Sequence, residues 1–108
     1  MAITYKVLGQ SAPTAATATT LYTVPAATST IGSSITICNT GASTSYRIAI
    51  RPAGASLAAA HYLAYDAVCE QYTSVILTFG MTLATTDVVT VYATLATLSF
   101  SLFGSEIT

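Results

Sequence analysis

His61 is the only imidazole in 108 residues, and Asp66 follows it five positions later. A histidine beside a carboxylate is raw material for a general base. In an extended strand, though, residues of opposite parity point to opposite faces, so these two side chains should diverge. No Gly-x-Ser-x-Gly elbow and no glycine-rich phosphate loop accompanies them. The four acids, Asp66, Glu70, Asp87 and Glu106, are scattered, three of them beside turns or chain ends. That placement suits solvated turn caps better than the convergent pair a glycoside hydrolase needs. Cys38, Cys69 and His61 are too dispersed for zinc, and no Asp-rich loop offers calcium its oxygens. The expectation is no catalytic residue, no cofactor and no metal.

The arginines and tyrosines carry more. Arg47 and Arg51 share one strand face with Ala49 between them, their roots about 13 Å apart at ~3.3 Å per residue. They are two exposed cations on a solvated face, or they bridge to a carboxylate of a neighbouring subunit, which the planar guanidinium fork suits. Seven tyrosines and no tryptophan supply broad semi-polar contact surface. Tyr62 and Tyr65 differ in parity, so either one lies in the core and the other outside, or both are ordinary core tyrosines with satisfied hydroxyls. Arg47, Arg51, Tyr62 and Tyr65 are therefore the candidate interface residues.

The elements that place these residues are strands. Period-two alternation recurs along the chain: "ITYKVL" sets Ile3, Tyr5 and Val7 on one face, "SITICN" sets Ile35 and Ile37 inward, and "YRIAIR" groups Tyr46, Ile48 and Ile50. "SVILTF", "DVVTVYA" and "LSFSL" alternate likewise, and "TTLYTV" and "HYLAYD" complete a set of eight. Pro25, "RPAG" from Arg51, Gly80 and "ATTD" from Ala84 punctuate them, and "NTGAST" from Asn39 should close a hairpin. Alanine-rich "SLAAA" from Ser56 is barely over one turn long and belongs to a crossover. The fold class is all-β: a single-domain antiparallel β-sandwich or jelly roll of about eight strands over residues 1–108, with at most a short helical turn near 56–60. Residues 1–18 are a docking arm or the first strand.

Composition limits the partners. Charged residues make up 6% of the chain, against roughly 25% in ordinary soluble domains, and Ala, Thr and Ser together supply 50 residues. A net charge of -1 gives little repulsion between copies, so such a surface is expected to associate. Three cations cannot make an electrostatic footprint for nucleic acid. No run of 18 apolar residues offers a membrane span, and the leading residues lack a signal-peptide block, which points to synthesis in a cytoplasm with Cys38 and Cys69 more readily reduced than paired.

"TLYTVPA", "SSITICNTG", "YRIAIRPAGASL", "HYLAYD", "LTFGMTLATTDVVTVYA" and "LSFSLFGSEI", in that order, resemble a small family of tailed-bacteriophage virion proteins over about four-fifths of the chain. The resemblance misses mainly the first 18 residues. It implies a non-enzymatic structural protein of the virion, made in the host cytoplasm. It also implies a homo-oligomer, with a trimer favoured, that docks on the major capsid protein or on tail or neck proteins. A free-standing module of this length fits a capsid decoration or cement protein, with a neck, baseplate or tail-fibre adaptor as the alternative. A carbohydrate-binding receptor-recognition module is a second class, and a small hydrolase a third.

Overall fold

Strands form where β-branched and aromatic residues alternate with hydroxyls and small residues, and the computed structural model, which describes residues 1–108, has nine of them. In chain order these are β1 (Ile3–Ser11), β2 (Thr19–Thr23), β3 (Ser29–Asn39), β4 (Thr44–Arg51), β5 (Tyr62–Cys69), β6 (Ser74–Leu77), β7 (Met81–Leu83), β8 (Val88–Ala93) and β9 (Leu98–Ile107). The strand beyond the eight expected is the three-residue β7. Every pairing is antiparallel.

One sheet runs β1-β9-β3-β6, with β7 also pairing on β3, and the other runs β2-β8-β4-β5. The pairs are nested: β4 with β5, β3 with β6 and β7, β2 with β8, β1 with β9. A long antiparallel hairpin rolled on itself gives this order, which is that of a jelly roll. The chain ends close the roll, since the Ala2 and Thr108 backbones exchange N–H···O bonds of 3.0 and 2.9 Å. Two short 3-10 turns, Pro52–Gly54 and Ala59–His61, interrupt the crossover from β4 to β5, and no longer helix exists.

The inward residues of both sheets make one core. Ile35, Ile37, Phe100 and Leu102 come from the five-stranded sheet, and Tyr46, Ile48, Val89 and Val91 from the other. Tyr46 meets Phe100 edge-on, with centroids 6.3 Å apart at 73°. Phe100 is completely buried, and truncating such a ring to alanine costs about 3–5 kcal/mol.

Three placements differ from the sequence expectation. The "NTGAST" segment does not close a hairpin: β3 and β4 lie in different sheets, so it is a corner. The buried Asn39 holds that corner, its amide donating to the carbonyls of Ala42, Cys69 and Glu70 at 2.9–3.1 Å while Oδ1 accepts from Gly41 N–H. Glu106 is no solvated end cap. It points between the sheets, where Tyr22 and Lys6 donate to it at 2.5 and 3.1 Å. Tyr62 and Tyr65 share the outer face, because β5 carries two extra residues relative to β4, one between Tyr62 and Ala64 and one between Ala64 and Ala67. Each bulge inverts the parity that follows it.

Candidate functional site

The outer face of the four-stranded sheet gathers the candidate interface residues. The register sets Arg47 opposite Tyr92, Ala49 opposite both Thr90 and Tyr62, and Arg51 opposite Val88. Arg47 Nε donates to Asp66 Oδ1 at 2.7 Å, and Nη2 reaches Oδ2 at 3.4 Å. The guanidinium carbon lies 4.2 Å from the Tyr65 ring centroid and 4.3 Å from that of Tyr92, a distance at which cation and ring attract. Hydrogen bonding to Asp66 raises the arginine's pKa further, so the cation is permanent. Tyr62 meets Tyr65 edge to face, centroids 4.9 Å apart at 87°. Asp66 adopts a left-handed φ of 51°, the second bulge's means of aiming its carboxylate at Arg47.

Arg51 works differently. Its Nε donates to Thr90 Oγ1 at 3.1 Å, and Nη1 reaches the carbonyls of Ala55 at 3.1 Å and Gly54 at 3.4 Å. It staples the crossover to the sheet, and the crossover in turn walls a hollow of about 140 Å³. Ala18, Arg47, Ala49, Leu57, Tyr62 and Tyr92 are among the residues that line it. A shallower groove of about 490 Å³ continues from it past Leu57, Ala58, Tyr62 and Tyr65. A cavity of roughly 150 Å³ admits one benzene-sized ring, so the deeper hollow has room for a single ring or branched side chain.

His61 and Asp66, the one histidine–carboxylate combination the sequence offered, do not meet on this face. His61 Nδ1 accepts the Ala58 N–H at 3.1 Å, while Asp66 is held by Arg47, so the two form no base pair. No group of three or more His, Cys, Asp or Glu side chains converges anywhere. Cys38 and Cys69 are free thiols, and burial pushes the Cys69 thiol's pKa up, away from reactivity.

The remaining charges are also engaged within the chain. Lys6 pairs with Glu106 at 3.1 Å. Asp87 accepts the N–H groups of Ala53 and Ala84 at 2.9 Å, capping its turn as the sequence suggested. Glu70 accepts from Ser43 Oγ at 3.2 Å. All seven charged side chains therefore have partners in their own chain, Arg47 and Arg51 included.

No family model, curated protein or solved structure matches this chain. The site rests on its own geometry. Of the four residues picked from the sequence, Arg47, Tyr62 and Tyr65 meet in one cluster, and Arg51 stands further along the same face. Sequence reasoning missed Tyr92 and Leu57, and it missed Asp66 as the partner of Arg47. The scarcity of charge was a usable signal for the last: an arginine on β4 and the lone acid within the next strand, β5, have few other choices.

Proposed function

We propose that this protein is a non-enzymatic structural component of a tailed-bacteriophage virion, assembling with copies of itself and docking on the particle as a capsid decoration or cement protein. One observation carries the reading: every charged side chain is engaged internally, while large apolar side chains such as Tyr5, Tyr72, Ile76 and Val68 stand more than half exposed. Such a surface has no free charge with which to select an ionic substrate. It gains free energy by being covered, at about 25 cal/mol per Å² of apolar area removed from water. The jelly roll supports the reading by analogy of fold alone, since viral capsid domains reuse it. Quantitative mass spectrometry of purified particles is the test. Hundreds of copies per particle are expected for a decoration protein, and a handful to a few dozen for a neck, baseplate or tail-fibre adaptor. Absence from the particles overturns both placements.

A second reading, a carbohydrate-binding receptor module, is favoured by the tyrosine-lined hollow alone. Lectin domains also use jelly rolls, and tyrosine rings stack on sugars. A glycan array reporting binders lost on Ala49→Leu, which fills the hollow's floor, supports it; an array without binders removes it.

A further inference from the structure

The two outer faces of the sandwich differ in kind. That of the four-stranded sheet carries Arg47, Arg51 and Asp66, whereas that of the five-stranded sheet carries no charged residue at all. Register and burial place Ile3, Tyr5, Val7, Phe103, Ile107 and Ile31 on this second face, across β1, β9 and β3. Tyr5 is 81% exposed, and Ile3, Val7 and Ile31 are 49%, 46% and 44% exposed. Ser105 lies between Tyr5 and Ile31, and the rest of the face is serine, threonine, Gln10, Cys38 and the exposed Ile76. The nearest charges, Lys6 and Glu106, turn the other way and neutralise each other. An antiparallel sheet with one wet face ordinarily clothes it in polar side chains. This one does not.

The sheet edges, by contrast, are defended. β1 has a bulge between Val7 and Gly9 and an inward lysine, and β2 is five residues long with its own bulge. β5 has two bulges, and β6 is four residues long. Bulges, short strands and inward charges on an edge all discourage strand addition. Association must then use a face.

We infer that the outer face of the five-stranded sheet is covered by the same face of a second copy, related by a two-fold axis. This rests on the self-assembly in the proposed function and names its surface. An uncharged face is complementary to itself without repulsion, and a two-fold contact needs only one patch. Four strands ~4.8 Å apart and nine residues of ~3.3 Å give roughly 600 Å² in projection, so two copies reach about 1,200 Å², the lower bound of stable interfaces. The assembly is then built in even multiples of the 11.1 kDa chain, unlike the trimer that the family resemblance implies.

Sedimentation velocity on the full chain from about 1 to about 100 µM, the range of micromolar association, tests this. Tyr5→Lys and Ile31→Lys place a cation in the patch without disturbing a buried group, and Tyr72→Lys, on a loop residue 75% exposed, is the control. The wild type and the control should form dimers or larger even species, while each patch variant weakens association at least ~100-fold, since two-fold symmetry counts each substitution twice. Circular dichroism of each variant confirms the fold. Wild-type association that survives both patch substitutions overturns the inference and leaves the proposed function standing. An odd-numbered wild-type oligomer, or a monomer that binds particles through this face, overturns the second copy as occupant. A monomer that binds no particles removes the proposed function as well.

Discussion

Tyr22→Phe probes a hydrogen-bonded tie between the two sheets. The Tyr22 hydroxyl donates to Glu106 Oε2 at 2.5 Å and shares a 2.8 Å bond with Thr30 Oγ1, while Lys6 holds the other carboxylate oxygen. Burial, and then the hydrogen bond to Glu106, push the phenol's pKa up to about 12. Tyr22 bonding and then Lys6 hold the carboxyl below its usual range. Removing the hydroxyl leaves Thr30 without this partner and Glu106 with Lys6 alone, a loss of about 1–3 kcal/mol at pH 7. The alkaline limb follows from the sign of the shift. A phenol whose folded pKa lies above its unfolded value of 10.0 contributes its full stability below pH 10 and loses it as pH rises towards the folded value. Two units correspond to about 2–3 kcal/mol in all, of which about 1.4 kcal/mol is gone by pH 11. Urea unfolding of both proteins at pH 8 and pH 11 measures it. The wild type should lose about 1.4 kcal/mol more than the variant over that interval. Equal losses would refute the assigned linkage between Tyr22, Glu106 and stability.

The same network acts at the acid end. Glu106 stabilises the fold above the unfolded carboxyl range and ceases to as pH falls through its lowered value, so Glu106→Gln should flatten the acid limb of a thermal-melt series. A methyl at Gly104 would overlap the Ile31 carbonyl oxygen across the β3–β9 ladder, whereas one at Gly80 meets nothing. Gly104→Ala should therefore cost about 3 kcal/mol or more in urea unfolding, and Gly80→Ala less than about 0.5 kcal/mol. Ala27 holds a left-handed φ of 53°, so Ala27→Gly should raise stability by up to about 1 kcal/mol, the released strain exceeding glycine's unfolded-state entropy. Asn39→Ala removes a buried amide from three carbonyls and should cost about 2–3 kcal/mol by the same assay.

Much of the architecture was legible because strand periodicity reports which residues share a face. Ile35 with Ile37, Val89 with Val91, and Leu98 with Phe100 and Leu102 all point into the core as their alternation implies. Periodicity cannot say which side of a sheet is the inside. "ITYKVL" has the pattern of a core strand, yet Ile3, Tyr5 and Val7 face out, because Lys6 has its partner on the inner side in Glu106, 100 residues away. Bulges carry no composition signal here. Those in β2 and β5 bury Leu21 beside Tyr22 and bring Tyr62 to the side of Tyr65, both against simple alternation. The Asn39 corner resembled a hairpin because a short polar loop serves either purpose. What decides is that β3 has its neighbour in β9, from the far end of the chain.

In the proposed virion role the molecule fits uncharged surface against its neighbours. A reconstruction of the intact particle tests it most directly. Density for this jelly roll is expected on the particle, with the Tyr5 face of the five-stranded sheet packed against protein. A particle without it, or one in which that face stands bare in solvent in every copy, rules out a role in covering uncharged surface.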